Sequence, residues 1–460
     1  MLRCPTCPGV DKPIYGTGPK PARVVLIGEA GGVDEVRQCK PFVGKTGMEF
    51  DGQYLPLAGL QREGVYTTNC SKCPGRTKQG GIDNPSNAQA RACWAYFSQF
   101  ELRQVRPDVV VVMGAVAVDA VLGPGIDMEM QHGLPIPGPT QEIQSQTPCM
   151  YVPVYHPAAG LHDTKWMIAL QDDFRRLRKL ARGDYSDVTV DVWPEPLYQE
   201  ARTALDVDEY FAQFRDETRY GYAGVDTEYT DAGTWCVTVS IMPGTGLFTP
   251  ANRPDLIARL AHWLKRYTFV FHAALADLTP SLTSVGIYAH RWVDTMQQAY
   301  WANEFRIGLK PLAYRYLGMR MSDYGDVVNP PSKLALYDYM TRVRAALLDA
   351  VPASRKPKSM DDTDKLVRKT GALVGRLLGD LDKEARGDGK PVKPWTRVNE
   401  WQAGTRHVIE TFGGECIPQA SIVHVDRAAA VQYACRDADA TLRLLPAIRR
   451  RARELRRRVA

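Results

Sequence analysis

Short apolar runs recur along the first third of the chain, and segments with helical apolar spacing lie between them. The runs that we predict to be strands are Val24-Val25-Leu26-Ile27, Val109-Val110-Val111-Val112 and Tyr151-Val152-Pro153-Val154-Tyr155. Helical spacing follows the second run at 115–122 and the third at 166–180. Alternating strands and helices predict a parallel sheet covered on both faces, which binds ligands beyond the carboxyl ends of its strands. Gly28-Glu29 and His156 would lie at that edge.

The pattern weakens after residue 182, where prolines and glycine punctuate a polar stretch that we interpret as a linker over 183–198. A second α/β region follows, with a predicted strand at 220–225. Residues 334–408 have a helical, charged pattern interrupted by prolines, and we interpret them as an elaboration of this second region. The sequence therefore predicts one domain over 1–182 and another over 199–460, which ends in a basic helix.

Composition narrows the class of protein. The 460 residues are 44% hydrophobic and 24% charged, which is typical of a globular protein with a sizeable core. No window approaches the ~18 uninterrupted apolar residues of a membrane span, and the N-terminus lacks the apolar stretch of a signal peptide. We therefore expect no membrane association and a cytoplasmic location. The net charge of +6 permits a nucleic-acid partner without requiring one.

Cysteines are concentrated near the N-terminus. Cys4-Pro5-Thr6-Cys7 places two sulfurs three residues apart, and Cys73 and Cys93 follow later in the chain. Two such sulfurs can chelate one metal centre, and two distant ones can complete a four-thiolate shell. A CxxC pair also occurs in zinc ribbons, in redox pairs and by chance, so the spacing alone leaves iron–sulfur and zinc open.

The order of the motifs around these cysteines carries a resemblance. The motifs are Gly28-Glu29-Ala30-Gly31-Gly32, Pro41-Phe42-Val43-Gly44, Thr68-Asn69, Lys72-Cys73 and His156-Pro157-Ala158-Ala159. This order resembles the iron–sulfur, or family four, uracil-DNA glycosylases over about residues 1–182. The resemblance implies a parallel-sheet, three-layer α/β fold, uracil-containing DNA as substrate, and a [4Fe–4S] cluster on Cys4, Cys7, Cys73 and Cys93.

The same resemblance implies which residues bind the base. Phe42 would stack on an extruded uracil, Asn69 would hydrogen-bond its pairing edge, and Gly28 would line the pocket. A base inside a duplex is unreachable, so it must be extruded and held by stacking and by its Watson–Crick edge. A side-chain amide satisfies O4 and N3–H of uracil together but mismatches the amino group of cytosine, and unpaired buried polar groups cost about 1–3 kcal/mol each.

Three further residues would take part in bond cleavage by the same resemblance. His156 would face uracil O2, where a donor stabilises the negative charge that develops as the glycosidic bond breaks. Glu29 and Glu35 match the carboxylates of the first motif, and a carboxylate can steady the cationic sugar or orient water. A related branch traps abasic DNA through a histidine in an inserted loop. The corresponding stretch here, 74–92, contains no histidine, so we expect no covalent adduct.

A second group of candidate site residues, most of them acidic, lies in the C-terminal half. Asp226 and Glu228 follow the predicted strand at 220–225, and residues i and i+2 share one face of a strand. Asp277 comes later, and Tyr433 and Asp437 are spaced i, i+4 along a predicted helix. Acidic groups without a compensating basic cluster repel one another unless they hold divalent cations. Oxygen ligands suit Mg²⁺ or Mn²⁺, and two such ions can flank a phosphodiester.

This arrangement resembles the DEDD 3′–5′ exonucleases, in detail the proofreading domain of family A DNA polymerases, over about residues 199–445. The resemblance implies an RNase H-like fold, two Mg²⁺ or Mn²⁺ ions on Asp226, Glu228, Asp277 and Asp437, and a water oriented by Tyr433. The second motif departs from the family, because its usual Asn is Ala273 and its usual aromatic residue is Ala276. This departure puts strand affinity or rate in doubt rather than metal binding.

Three functional hypotheses follow from the two resemblances. In the first, the chain is a bifunctional enzyme. In the second, it is an exonuclease whose glycosylase-like domain only binds DNA or a partner protein. In the third, it is a scaffold that is inactive in both halves. A family A polymerase continues beyond its exonuclease into a polymerase domain, whereas only 23 residues follow Asp437 here. We therefore expect the protein to serve phage or bacterial DNA replication, beside a separately encoded polymerase.

Overall fold

A computed structural model describes residues 13–76, 82–137, 149–160, 164–184, 195–214, 221–302, 304, 306–352, 354–388 and 390–459. The strands within this part of the chain are, in order, β1 Val24–Gly28, β2 Tyr66–Asn69, β3 Gly75–Arg76, β4 Ile82–Asp83, β5 Val109–Met113, β6 Ile136–Pro137, β7 Met150–Val154, β8 Leu197–Glu200, β9 Tyr222–Thr230, β10 Gly233–Ser240, β11 Thr245–Pro250, β12 Thr268–Phe271 and β13 Trp292–Asp294.

The α-helices are, in order, α1 Val33–Gln38, α2 Lys45–Glu49, α3 Leu55–Leu57, α4 Asn87–Cys93, α5 Gln99–Val105, α6 Ala115–Leu122, α7 Met128–Gln131, α8 Pro157–Gly160, α9 Thr164–Ala181, α10 Ala204–Gln213, α11 Pro254–Leu264, α12 Ala274–Asp277, α13 Thr295–Trp301, α14 Leu309–Leu317, α15 Tyr324–Ala350, α16 Asp362–Ala385, α17 Pro394–Asn399, α18 Ala403–Gly413 and α19 Arg427–Val459. Wider π-helical turns occur at Phe50–Tyr54, Trp94–Ser98 and Leu278–Leu282. No helix among the described residues is both long and apolar enough to cross a membrane.

The chain forms two compact units. Unit 1 comprises Met1–Trp193, Asp294–Arg320 and Arg443–Ala460, and unit 2 comprises Pro194–Val293 and Met321–Leu442. Unit 1 thus includes two segments that lie beyond the linker in sequence. The predicted α/β class, with a parallel sheet in the N-terminal part, is confirmed.

The sheet of unit 1 has the strand order β2-β1-β5-β7-β6, and its first four strands are parallel. β1 and β5 are buried along their whole length, which explains why their sequences are continuous apolar runs rather than alternating ones. One apolar cluster on the sheet includes Val25, Ile27 and Val110, and another includes Leu26 and Val111. Successive side chains of each strand therefore pack into cores on opposite faces.

A buried ionic cluster joins the distant segments of unit 1. Its three carboxylates and three guanidinium groups belong to Asp172, Asp173, Glu304, Arg176, Arg315 and Arg451. Burial alone would raise the pKa of Asp172, but Arg176, Arg451 and Arg315 together hold it below its usual range. Buried charges require such pairing. Because Asp172 lies on α9, Arg315 on α14 and Arg451 on the part of α19 that belongs to unit 1, the pairs hold these three segments together within unit 1.

Unit 2 contains a mixed sheet with the order β13-β12-β9-β10-β11-β8. β9, β10 and β11 are antiparallel neighbours, whereas β12 joins β9 in parallel. The sequence analysis predicted that Asp226 and Glu228 follow the end of this strand. β9 instead continues to Thr230, so both residues lie within it. One hydrophobic cluster covers the sheet with α10 and α11, and α15, α16 and α18 share a separate core.

Candidate active sites

Three residues predicted to bind a base meet at the carboxyl end of β1. Gly28 pairs with Asn69 at the ends of the parallel strands β1 and β2. A Cβ on Gly28 would lie 2.5 Å from Cζ of Phe42 and 2.7 Å from Oδ1 of Asn69. Only glycine leaves room for the ring and the amide to approach the strand this closely. The structure therefore brings Gly28, Phe42 and Asn69 together.

The Phe42 loop is held by an arginine and by an unusual backbone conformation. Phe42 has φ 56°, in the left-handed region that non-glycine residues adopt only when their surroundings compensate for the strain. Arg62 Nη2 donates a hydrogen bond of 2.9 Å to the Phe42 carbonyl, and the guanidinium lies 5.9 Å from the ring centroid. The ring is 9% exposed, so it presents only a small face to an incoming ligand.

Glu35 accepts backbone hydrogen bonds from the same loop. Its Oε1 accepts from the amides of Val43 and Gly44 at 3.0 and 2.8 Å, and its Oε2 accepts from the amide of Gly32 at 3.0 Å. Both carboxylate oxygens are thus occupied by main-chain donors. This arrangement connects the beginning of α1 with the residues that follow Phe42.

Glu29 differs from Glu35 in its environment. Its Oε1 is buried and has no hydrogen-bond partner among the residues that the structure describes. Burial raises the pKa of the Glu29 carboxyl. The main chain of Glu29 is held firmly, because its carbonyl accepts from the Ser71 amide at 2.9 Å and from the Cys70 thiol at 3.2 Å. A fixed backbone therefore presents a carboxyl oxygen that is available to a ligand.

His156 follows β7 and carries a defined proton. The amide of Ala158 donates to Nδ1 of the imidazole at 3.3 Å, so in the neutral ring the proton resides on Nε2. Burial lowers the pKa of His156 to about 4. At neutral pH the side chain is therefore an uncharged imidazole, whose Nε2–H can donate a hydrogen bond to a developing oxyanion.

The structure describes two of the four predicted cluster ligands. Cys73 and Cys93 are buried, and the amide of Lys72 donates to Sγ of Cys93 at 3.1 Å. A sulfur that accepts a main-chain N–H suits a thiolate ligand, so these two residues fit a metal cluster. Cys4 and Cys7 lie outside the described residues. Burial raises the pKa of the Cys70 thiol to about 12, which favours its protonated form.

A buried lysine supports the base-binding edge, and the sequence analysis assigned it no role. Lys72 is 1% exposed, and its Nζ donates to the carbonyl of Asn69 at 3.1 Å and to Glu101 at 2.7 Å. Glu101 also accepts from the hydroxyl of Thr68 at 2.7 Å. In the sequence, the available signal was that Lys72 lies three residues after Asn69. Because a lysine is ordinarily exposed, only the burial of Lys72 in the structure reveals its contact with the Asn69 carbonyl.

The acidic residues of unit 2 converge on one point. One carboxylate oxygen from each of Asp226, Glu228 and Asp437 lies within 4.8 Å of the other two. Asp226 and Glu228 come from one face of β9, and Asp437 comes from α19. A Cβ on Gly224 would lie 2.2 Å from the carbonyl of Ala438, so the glycine permits α19 to approach β9 closely. This approach places Asp437 opposite the two strand carboxylates.

Asp277 lies beside this group of three. It ends α12 and is 5% exposed, and its Oδ1 accepts a hydrogen bond of 2.6 Å from the hydroxyl of Thr227. Thr227 points to the opposite face of β9 from its two acidic neighbours, which the alternation of a strand dictates. The residue that precedes α12 is Ala273, whose φ of 69° is left-handed. Asparagine tolerates this conformation better than alanine does.

The charges of this group perturb one another. Burial raises the pKa of Asp226 well above its usual range, and the neighbouring carboxylates of Asp277, Asp437 and Glu228 raise it further. Burial and the Asp437 charge also raise the pKa of Tyr433, which keeps its hydroxyl protonated. Closely spaced, partly buried carboxylates of this kind fit divalent cations, whose charge offsets the repulsion.

Comparisons with known proteins find matches in two parts of the chain. Residues 15–177 match the family model of the uracil DNA glycosylase superfamily, and residues 198–350 match a 3′–5′ exonuclease model. The type-4 uracil-DNA glycosylase of Archaeoglobus fulgidus is 30% identical over 168 residues, which are 36% of this chain and 81% of that protein. The type-4 enzyme of Thermotoga maritima is 30% identical over 140 residues, which are 30% of this chain and 70% of that protein.

Among solved structures, the EXD2 exonuclease domain soaked in Mn and Mg is 14% identical. The match covers 39% of this chain and 85% of that one, with a TM-score of 0.21.

Proposed function

The chain belongs to the type-4 uracil-DNA glycosylase family and also carries a 3′–5′ exonuclease domain, and we propose that it is a bifunctional DNA-processing enzyme. The first activity is metal-dependent removal of nucleotides from DNA 3′ ends. The observation that carries this proposal is the approach of Asp226, Glu228 and Asp437 to within 4.8 Å of one another.

The residues around this point have separable roles in the proposed reaction. Asp226, Glu228, Asp277 and Asp437 would hold two Mg²⁺ or Mn²⁺ ions, which supply charge stabilisation to a phosphodiester and lower the pKa of bound water. The protonated hydroxyl of Tyr433 would orient the attacking water. The hydrogen bond from Thr227 would fix the rotamer of Asp277. Carboxylates held by a strand and two helices keep these positions without substrate.

A labelled-DNA digestion tests the exonuclease proposal. Single-stranded and mismatched primer DNA carrying a 5′ label is incubated with the protein in Mg²⁺, in Mn²⁺ and in a chelator. We expect successive shortening from the 3′ end in either metal and none in the chelator. A 3′-blocked oligonucleotide serves as the control for endonuclease contamination. Equal digestion with and without the chelator would overturn the proposal.

The second proposed activity is release of uracil from DNA. Gly28, Phe42 and Asn69 lie together at the end of β1, where the ring would stack on the base and the amide would bind its pairing edge. The Nε2–H of His156 would donate to uracil O2 as the glycosidic bond breaks. Glu29 has a buried oxygen without a partner among the described residues, which suits contact with water or with the sugar. Glu35, whose oxygens bind main-chain amides, would shape the Phe42 loop.

An alkali-labile product tests uracil release separately from trimming. A 3′-blocked oligonucleotide with one uracil is incubated with the protein in a chelator, which suppresses the nuclease. We expect an abasic site that breaks in alkali only when uracil is present. Failure to form this site with intact protein would favour the alternative that the glycosylase-like domain only binds DNA or a partner.

We also propose a [4Fe–4S] cluster on Cys4, Cys7, Cys73 and Cys93, as the type-4 relationship suggests. The burial of Cys73 and Cys93 and the amide donated to Cys93 support this assignment. Iron and sulfide analysis, with the broad visible absorption of the purified protein, distinguishes the cluster from zinc. Stoichiometric zinc without iron would contradict it.

A replication partner is the third part of the proposal. The likeness of residues 198–350 to a polymerase-associated exonuclease family supports association with a separately encoded DNA polymerase, in the cytoplasm of a bacterium or a phage-infected cell. Affinity capture with each polymerase encoded by the same genome tests the association. Absence of binding to all of them would remove this part and leave the two activities unaffected.

A further inference from the structure

A cavity of unit 1 lies beside the edge strand β2. Its volume is about 680 Å³, and its aromatic walls are Tyr15, Tyr66, Tyr96, Phe97 and Phe100. Tyr66 is at the start of β2, three residues before Asn69 at the end of the same strand. Among the residues that the structure describes, those assigned to uracil binding, together with Cys73 and Cys93, do not line this cavity.

The rings of the cavity are unusually accessible. Tyr15 is 53% exposed, Phe100 is 57% exposed and Tyr96 is 40% exposed. Single exposed apolar residues are ordinary, but several around one concavity indicate a binding surface. Tyr96 and Phe97 lie on the π-helical turn Trp94–Ser98, with ring centroids 4.7 Å apart. Such turns are frequent at functional sites, because the extra residue redirects side chains outward.

Positive charge surrounds these rings. Nζ of Lys20 lies 5.4 Å from the Tyr66 ring centroid and donates to Gln104 at 3.0 Å, and the guanidinium of Arg103 lies 5.6 Å from the Phe100 centroid. The acidic residue in the wall, Glu101, is paired with the buried Lys72 at 2.7 Å. The cavity therefore offers aromatic faces with cations at its edge, a combination that disfavours a cationic ligand.

The cavity is connected to the base-binding edge by direct hydrogen bonds. Glu101 binds Nζ of Lys72, and the same Nζ donates to the carbonyl of Asn69. On the other side, the amide of Ile14, next to Tyr15 in sequence, donates to the carbonyl of Lys72 at 2.8 Å. A Cβ on Gly31, in the loop after β1, would lie 2.4 Å from Cδ1 of Ile14. The cavity and the uracil site thus share their supporting residues.

We propose that this cavity binds single-stranded DNA, namely the part of the substrate strand next to the extruded uracil. Bases would stack on Tyr15, Tyr96 and Phe100, and phosphates would contact Lys20 and Arg103. Proteins that bind single strands without sequence preference use this pairing of stacking rings with a basic groove. That the bound strand is the one carrying uracil rests on the proposed uracil release. The binding test described next does not depend on that activity.

Circular single-stranded DNA tests the cavity apart from the exonuclease, because a circle has no 3′ terminus to enter that site. Binding of a short uracil-free fluorescent circle is measured by anisotropy in a chelator. The double variant Tyr96→Ala with Phe100→Ala is expected to bind at least about tenfold more weakly, as loss of base stacking predicts. Tyr96→Phe retains the ring and should bind like the wild type. Tyr288→Ala removes an exposed tyrosine of unit 2 and serves as the matched control.

The salt dependence distinguishes phosphate contacts from stacking. Lys20→Met with Arg103→Met should reduce the slope of log affinity against log salt by roughly one to two, because about 0.7 counterion is released per phosphate of a single strand. The ring variant should leave this slope unchanged.

Unchanged DNA affinity in the double ring variant would overturn the inference. If that variant also lost its iron, the rings would be assigned to the cysteine site instead. Should the wild type bind the circle through these rings and yet release no uracil, the DNA site stands and the glycosylase proposal alone fails.

Discussion

The two candidate sites of this chain differ in the charge of their side chains. In unit 1, burial keeps His156 neutral and favours the protonated form of Glu29, and an amide and a ring complete the site. In unit 2, three carboxylate oxygens lie within 4.8 Å of one another, and a fourth carboxylate adds to their repulsion. The first arrangement suits recognition of an uncharged base, and the second suits cations that in turn bind a phosphodiester.

The two sites also differ in what holds their residues in position. The unit 1 site is organised by close main-chain packing at Gly28 and by the hydrogen bonds that Glu35 and Arg62 make to the main chain. The unit 2 site is organised by strand and helix positions, but its electrostatics are unfavourable until cations arrive. Substitution should therefore change stability in opposite directions at the two sites.

The largest expected effect comes from Asp226→Asn. Nuclease activity should fall about a thousandfold, because a bound divalent cation contributes several kcal/mol to the transition state. The melting temperature in a chelator should rise by a few degrees, since one repelling charge is removed. Mn²⁺ should raise the melting temperature of the wild type more than that of the variant.

Differential scanning fluorimetry and the labelled-DNA digestion measure these changes. Asp231→Asn, at an exposed turn of unit 2, should alter neither activity nor melting temperature. A lower melting temperature for Asp226→Asn in the chelator would contradict the repulsion on which the comparison depends.

The next effect concerns His156. His156→Ala should reduce the rate of uracil release by about a hundredfold to a thousandfold, as loss of one oxyanion donor does elsewhere. His156→Gln can still donate and should retain part of the rate. Single-turnover assays in a chelator measure both, and equal rates for the two variants would argue against a donor role.

The pKa of His156 also gives a pH test with a definite sign. Because the folded-state pKa of about 4 is below the ordinary value of 6.5, the unfolded state binds more protons between these pH values. The stability contributed by this group is present above pH 6.5 and is lost as the pH falls towards 4. Urea denaturation of the wild type and His156→Gln should diverge in that interval, and parallel curves would contradict the assignment.

A smaller effect separates the two glutamates of unit 1. Glu35→Ala leaves three main-chain amides without their acceptor and should lower the free energy of unfolding by about 2 kcal/mol. Glu29→Gln should leave stability nearly unchanged while lowering kcat for uracil release, because the buried Oε1 has no hydrogen-bond partner to lose within the part of the chain that the structure describes. Denaturation and steady-state kinetics on both variants measure the contrast, and an equal loss of stability would remove it.

The smallest effect is expected at Ala273. Ala273→Asn should stabilise unit 2 by less than about 1 kcal/mol, because asparagine tolerates the left-handed backbone at this position. It should also lower KM for single-stranded DNA a few-fold by restoring the side chain that the exonuclease family usually has there. Thermal unfolding and nuclease kinetics test both, with Ala276→Asn, three residues later in α12, as the comparison.

Much of the fold could be predicted from local patterns. β1, β5 and β7 agree with the predicted strands to within one residue at each end, because full burial imposes a continuous apolar run. β2 was not predicted, since Tyr66–Asn69 is largely polar and is buried only by its neighbours. The predicted helical region starts at residue 334, whereas α15 begins at Tyr324. The added part contains Pro330 and Pro331, and proline usually interrupts a helix.

The sequence by itself determined which residue types were available: aligned acidic residues, an aromatic residue and an amide in order after the first predicted strand, and paired cysteines. Only the tertiary structure decided what each could contact. Among the described residues, it left one oxygen of Glu29 without a partner while Glu35 bound three amides, assigned the His156 proton to Nε2, and buried Lys72 behind Asn69. The physical reason is that periodicity records burial along one segment, whereas these contacts depend on close approach between segments distant in sequence.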